Sequence, residues 1–171
     1  MKITRIPQLI IFGVLLGLAL PARAETMSVP SKEKAMFTFD VPSDWKPKGD
    51  PNDESAEAGA PDDSAYVSAW IAAGDEKTFV KDLASTLKDS MKTVDPGYET
   101  TEADQHGTHF YVITGSGVDK RAGTKVKFLV GIFHAGEGKA GVVYADYDAD
   151  AAASTMTVLK GILNSVKVVK K

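Results

Sequence analysis

Hydrophobic and polar residues follow a two-residue period along much of the chain after position 97, which indicates β-strands. The segment 125–133 departs from simple alternation because both of its faces carry apolar side chains. One face would hold Val126, Phe128, Val130 and Ile132, and the other Leu129 and Phe133. A strand that is apolar on both faces belongs inside a sheet that is covered on both sides. We therefore predict packed layers on both faces of a central sheet.

Polar turns separate the strand candidates. The predicted strands are 36–41, a short one from Trp45, 66–73, 98–104, 109–116, 124–134 and 139–147. The turns between the last four are short, and one of them is Gly136-Glu137-Gly138. Successive strands joined by short turns form an antiparallel meander.

Two amphipathic segments predict helices. The first begins at the N-cap Asp75 and ends at Asp95-Pro96-Gly97, with an apolar residue at every fourth position from Phe79 to Met91. The second carries its apolar stripe at Met156, Leu159, Ile162, Leu163 and Val166. The predicted fold class is α+β, a central antiparallel sheet with helices on both faces in an α/β/α sandwich.

The segment 49–65 has a different composition from the rest of the chain. It contains Gly, Pro, Ala and Ser with six acidic residues, and it has no basic residue before Tyr66. Such a segment buries too little apolar surface to offset the entropy of ordering it. We predict a mobile acidic surface loop.

The N-terminus has the three parts of a secretory signal peptide. Lys2 and Arg5 precede an apolar run of 12 residues from Leu9 to Leu20, and Ala22-Arg23-Ala24 offers a cleavage site. Because a membrane-spanning helix needs about 20 residues, we predict cleavage after Ala24 and a periplasmic protein without stable membrane insertion. The predicted mature chain, 25–171, is a single domain that starts with an irregular segment up to Lys34.

Charge and cysteine content narrow the functional classes. The mature chain would hold 17 basic and 23 acidic residues, a net charge of −6, and it has no cysteine. Nucleic-acid binding requires clustered Lys and Arg, and the basic cluster here is the tail Lys167, Lys170 and Lys171, placed after the last helix. We therefore expect no nucleic-acid partner, no thiol chemistry and no thiolate metal site.

Two short motifs resemble those of a known family. Phe39 to Trp45 reads Phe-Asp-Val-Pro-Ser-Asp-Trp, and the last helix contains Ile162-Leu163-Asn164-Ser165-Val166. With the meander between them, they resemble the PsbP-like superfamily, including its bacterial periplasmic DcrB-like branch. The resemblance implies a central antiparallel sheet between helices. It also implies an accessory or chaperone-like binding protein, with no catalytic set to carry over.

Two groups of side chains are candidate binding sites. Asp104, His106 and His109 surround one turn, and imidazole nitrogens with a carboxylate are ligands for zinc or copper. Tyr144 and Tyr147 alternate with acidic residues at a strand end, where tyrosines can anchor a protein partner.

Catalytic motifs are incomplete. Gly115-Ser116-Gly117 lacks the spacing of a hydrolase nucleophile elbow, and the Gly-Glu-Gly-Lys at 136–139 lacks that of a phosphate loop. The sequence therefore favours a non-catalytic accessory or chaperone-like protein that binds a protein or peptide in the periplasm and needs no cofactor. The alternatives are a metal-binding protein that uses His106 and His109, and a hydrolase without a recognised motif.

Overall fold

The computed structural model describes residues 23–48, 55–151 and 153–169. The predicted signal peptide lies outside this description up to residue 22. No helix in the described part of the chain has the length and apolar character that crossing a bilayer requires.

Strands dominate the structure. They are β1 Ala24–Val29, β2 Phe37–Pro42, β3 Lys46–Lys48, β4 Ser55–Gly59, β5 Ala65–Ala73, β6 Met91–Val94, β7 Glu99–Gln105, β8 Thr108–Asp119, β9 Lys125–Gly136, β10 Lys139–Asp148 and β11 Lys167–Val168. The helices are short: α1 Glu76–Lys81, α2 Leu83–Thr86 and α3 Ala153–Asn164.

Most strands belong to one large antiparallel sheet. Its order is β3-β4-β5-β10-β9-β8-β6, and β7 also pairs with β8. The meander β7-β8-β9-β10 confirms the sequence prediction, including the hairpin in which Gly136 and Gly138 adopt positive φ. β5 then pairs with β10 in antiparallel register from Ala65 to Ala73.

The two faces of the large sheet bury separate hydrophobic clusters. Phe128, Val130 and Ile132 of β9 pack in one cluster, with Leu83 and Leu87 from the α1–α2 segment. The alternate residues of β9 pack in the other, with Leu159 and Ile162 of α3 and Phe37 and Phe39 of β2. The division of β9 between two apolar faces is as predicted from its sequence.

A second sheet contributes to the cover of the α3 face. It has three strands in the order β1-β2-β11. The sequence predicted an irregular segment where β1 forms, and that prediction is wrong. Lys167 follows α3 as predicted, but it lies in a strand and not at the end of the helix. β1 pairs with β2 over six residues, and Lys167 lies in β11 opposite Thr38. Lys170 and Lys171 lie outside the described residues.

The helix predicted between Asp75 and Val94 is interrupted. Asp75 caps α1 as predicted, because its carboxylate accepts the Lys77 N–H at 2.6 Å. At Asp82 the backbone leaves the helical region and its side chain caps α2, and Met91–Val94 then forms β6 against β8. The four-residue spacing correctly indicated a shared cluster for Leu83, Leu87 and Met91, but not a continuous helix.

The acidic segment contains a strand. Residues 49–54 lie outside the described part of the chain, whereas Ser55–Gly59 forms β4 between β3 and β5. Ala56 and Ala58 point into the core. Their small apolar side chains are enough to hold β4 in the sheet because the neighbouring strands β3 and β5 supply its backbone hydrogen bonds. The prediction of a loop over the whole of 49–65 is therefore wrong for its centre.

Candidate functional site

A cleft lies on the face of the large sheet that carries the α1–α2 segment. This cleft has a volume of about 500 Å³. Its floor consists of Ser55 and Glu57 from β4, Tyr66, Ser68 and Trp70 from β5, and Tyr144 and Asp146 from β10. These residues share one face because side chains alternate along a strand and the register sets Ser55 opposite Trp70 and Glu57 opposite Ser68.

The walls of the cleft come from two other segments. Thr86, Asp89 and Ser90 belong to the end of α2 and the connection to β6. Arg121 comes from the turn between β8 and β9 and reaches across to β5 and β10. The cleft lies between the α1–α2 segment, which packs on this face, and the strands β4 and β5.

Arg121 is at the centre of the polar network. Its Nη2 donates a hydrogen bond of 2.6 Å to Oδ1 of Asp146, and its Cζ lies 3.7 Å from the centroid of the Tyr66 ring. Its Nε lies 3.8 Å from Oδ2 of Asp119. The second oxygen of Asp146 accepts from the Tyr144 hydroxyl at 2.9 Å. One guanidinium thus serves two buried carboxylates.

The two carboxylates respond differently to burial. Burial raises the pKa of Asp146 above its ordinary value, although Arg121 and the Tyr144 hydroxyl oppose this shift. Burial would also raise the pKa of Asp119, but the N–H groups of Ala122 and Thr124 and the nearby Arg121 bring it below its ordinary value. Asp119 therefore anchors the turn that carries Arg121. Of the two carboxylates, Asp146 is the one whose negative charge costs more free energy to bury.

The tyrosines of the cleft are protonated. Burial raises the pKa of Tyr66 strongly, and a hydrogen bond with Glu57 raises it further. Burial and the neighbouring Asp146 also raise the pKa of Tyr144. Both hydroxyls are therefore hydrogen-bond donors over the whole physiological pH range.

A smaller depression of about 280 Å³ adjoins the cleft. Trp70, Thr86 and Asp89 line both depressions, so the half-buried Trp70 ring stands at their junction. The smaller depression adds Phe79 and Lys88 from the α1–α2 segment. Together the two form a groove along this segment, which we call the Trp70 groove.

The structure does not place Tyr144 and Tyr147 where a partner could use them as anchors. Tyr144 has no exposed surface; its hydroxyl donates to Asp146 and lies 2.9 Å from Sδ of Met91. Tyr147 is buried in the hydrophobic cluster on the opposite face. Side chains alternate along a strand, so Tyr144 and Tyr147 point to opposite faces of β10. Both faces are covered there. The predicted partner-binding role of these two residues is corrected accordingly.

The candidate metal ligands are only partly brought together. His109 Nδ1 lies 3.1 Å from Oδ1 of Asp104, its partner across the β7–β8 hairpin. His106 instead points to α3, with Nε2 3.1 Å from the carbonyl oxygen of Asn164. Because a carbonyl only accepts, this nitrogen carries the proton. Among the described residues, no group of three or more His, Asp or Glu side chains could hold a metal ion.

The hairpin geometry explains this separation. His106 and Gly107 both have positive φ, 51° and 75°, as a two-residue turn of the tight hairpin type requires. His106 is therefore directed away from the strand face that carries His109. His134, the remaining histidine, lies 3.7 Å from Glu76 at the start of α1.

The sequence analysis missed the cleft. No pocket was predicted from the sequence, whereas the charged side chains of Glu57, Asp89, Arg121 and Asp146, from four segments, converge on one cavity. The available signals were weak: an arginine in a polar turn, and an aspartate at an inward position of an otherwise apolar strand. Neither indicates its partner, because the partners are distant in sequence.

Comparison with known proteins supports the fold. No protein-family model matches the chain, and no curated protein is similar to it in sequence. A solved structure from Bacteroides thetaiotaomicron superposes with a TM-score of 0.56 at 12% identity over 86% of this chain, which spans only 49% of that chain.

Two further solved structures match over nearly their whole length. Cyanobacterial PsbP from Synechocystis sp. PCC 6803 has a TM-score of 0.55 at 12% identity and covers 92% of this chain and 99% of its own. The Ran-binding protein Mog1p of Saccharomyces cerevisiae has a TM-score of 0.51 at 10% identity, with 86% and 96% covered. The described residues, a mostly antiparallel sheet with three short helices, therefore have a fold of the PsbP and Mog1p type, in agreement with the resemblance seen in the sequence.

Proposed function

We propose that this chain is an exported, non-catalytic accessory or chaperone-like protein that binds a protein or peptide partner through the Trp70 groove. One observation carries the proposal: the half-buried Trp70 side chain lines two adjoining depressions on one face of the large sheet. Aromatic side chains that are partly exposed in a concavity are the usual anchors of interfaces.

The rest of the described surface offers little else to an apolar partner. Among the described residues, Val169 is the one large hydrophobic residue that is exposed. Monomeric proteins that bind others usually present an apolar contact rimmed by polar groups. The Trp70 groove has this composition, with Trp70 and Phe79 bordered by Asp89, Lys88 and Thr86.

The fold has a precedent for protein binding. Mog1p is a Ran-binding protein, and it shares this fold at 10% identity. A rigid platform suits such a role, and the finer arrangement that we infer, with helices on both faces of the sheet, would supply it. We also keep the predicted assignment to the DcrB-like branch as part of this proposal, together with export and cleavage after Ala24.

The non-catalytic part of the proposal rests on the chemistry of the cleft. None of the three histidines lines the cleft in the described part of the chain, so its serines and threonine have no imidazole base beside them. Asp146 is committed to Arg121 and Tyr144 through both oxygens. A binding role uses this preorganised network without requiring a nucleophile.

A photocrosslinking experiment in the native host tests the proposal. A photoreactive amino acid replaces the exposed Lys88 at the groove in one variant, and in a control variant it replaces the exposed Thr26 on β1, which belongs to the other sheet. We expect a discrete crosslinked species from the groove position that disappears with Trp70→Ala, and none from the control. Equal crosslinking from both positions would contradict the proposal.

Export is tested separately. We expect the protein in the periplasmic fraction with Glu25 as its first residue. N-terminal sequencing that finds Lys2 on the exported protein would exclude cleavage.

A further inference from the structure

Lys88 and Asp82 of the smaller depression carry opposite charges, whereas the charges that line the cleft do not balance. Its lining contains three carboxylates, Glu57, Asp89 and Asp146, and one guanidinium, Arg121. Arg121 is also shared with Asp119, which is buried behind the turn. The half-exposed guanidinium therefore compensates two buried carboxylates, and Glu57 and Asp89 remain as further negative charge at the floor and wall.

The excess negative charge lies on two accessible side chains that line the cleft. Glu57 projects from β4 on the floor, and Asp89 stands on the wall formed by the end of α2. Both side chains are at least partly accessible, whereas Asp146 and Asp119 are buried. Electrostatic interactions are stronger in a partly enclosed cavity with low-dielectric walls than on open surface. An anionic group entering here would meet repulsion from Glu57, Asp89 and Asp146, whereas a cation would be attracted.

The aromatic residues favour a cation with an apolar stem. Trp70 separates the two depressions and presents an indole ring that is partly exposed. A lysine or arginine side chain packs its methylene groups on such a ring and gains cation–π energy from its charged end. Arg121 on the Tyr66 ring already shows this arrangement within the chain.

We infer that the cleft binds a lysine or arginine side chain of the polypeptide partner, with the stem against Trp70 and the charge between Glu57 and Asp89. This inference rests on the proposed function and adds the chemistry by which the partner is selected. A volume of about 500 Å³ leaves room for one long side chain and the backbone around it. The acidic character of the mature chain as a whole adds attraction at longer range.

Selection from a library of random linear peptides, displayed on phage, tests the inference on the purified exported protein. Peptides that are enriched are synthesised, and their affinities are measured by fluorescence polarisation. We expect a shared basic residue whose replacement by norleucine weakens binding about tenfold, and a lower affinity at high salt because the charges are partly exposed. Glu57→Gln and Asp89→Asn should each weaken binding about fivefold.

Two controls keep the outcomes distinct. Glu102→Gln removes an exposed carboxylate on β7, outside the cleft, and should leave affinity unchanged. Circular dichroism of each variant establishes that it is folded. If the selected peptides depend on Trp70 but share no basic residue, this inference is overturned while the proposed function stands. If no peptide is selected, both are overturned.

Discussion

Arg121 donates a hydrogen bond of 2.6 Å to Asp146, a residue 25 positions further along the chain. The Asp146 side chain is 4% exposed and that of Arg121 is 47% exposed, so the pair joins the interior of the sheet to the mouth of the cleft. A buried carboxylate is stable as a charge only when it is paired and hydrogen-bonded. Arg121 and the Tyr144 hydroxyl together meet this requirement.

The first prediction concerns the pH dependence that Asp146 causes. Burial raises its pKa in the folded state above the ordinary value of 3.8, so the folded protein binds more protons than the unfolded chain just above that pH. The contribution of Asp146 to stability therefore falls as the pH rises through its raised pKa. We expect the free energy of unfolding of wild type, relative to Asp146→Asn, to decrease from pH 4 to pH 7. Urea unfolding at several pH values measures it, and an increase would contradict the direction of the shift.

The pH dependence of stability that Asp119 causes should have the opposite sign. Its pKa is below 3.8 in the folded state, so its stabilising contribution is present above 3.8 and is lost as the pH falls through the lowered value. Asp119→Asn also leaves one of the N–H groups of Ala122 and Thr124 without its acceptor. We expect a loss of about 1–3 kcal/mol at pH 7. The same urea titrations should show this deficit shrinking at acid pH, and a constant deficit would exclude the ionic contribution.

The β6–β8 contact predicts a steric effect. A Cβ added at Gly117 would lie 2.1 Å from the backbone carbonyl oxygen of Thr93, and a carbonyl within a paired strand cannot move aside without breaking the pairing. We expect Gly117→Ala to reduce the free energy of unfolding by about 2 kcal/mol or more. Gly97→Ala is the matched control, because nothing lies within 4 Å of its added Cβ. Similar thermal unfolding of the two variants would show that β6 does not pack as described.

The last prediction separates a structural from a metal-binding role of His106. Its hydrogen bond to the Asn164 carbonyl satisfies one of the acceptors that are left free at the end of α3. His106→Ala should therefore cost about 0.5–1.5 kcal/mol, whereas His109→Ala, which removes only exposed contacts, should cost less.

Metal binding by His106 and His109 would give a different result. A ligand that binds only the folded state raises the melting temperature. We expect the melting temperature of wild type to be the same with zinc, with copper and with a chelator. A metal-dependent rise that both histidine variants abolish would establish the alternative function.

The sequence pattern predicted those strands and helices that bury apolar side chains of their own. The strands β8, β9 and β10 alternate or carry apolar residues on both faces, and α3 has a complete apolar stripe, so each shows its period in the sequence. β4 and β6 did not, because Ser55–Gly59 has small side chains and Met91–Val94 continues a helical spacing. Their conformation depends on hydrogen bonds from the neighbouring strands, and such partners leave no local signal.

What the sequence by itself determined is therefore the antiparallel meander, its two apolar faces, the last helix and the acidic balance of the chain, since these follow from the periodicity and the composition of adjacent residues. Only the tertiary structure decided that Glu57, Trp70, Arg121 and Asp146 line one cleft, and that Tyr144 and Tyr147 are buried. Convergence of this kind depends on strand order and register, which place residues from distant segments side by side, and no single segment encodes it.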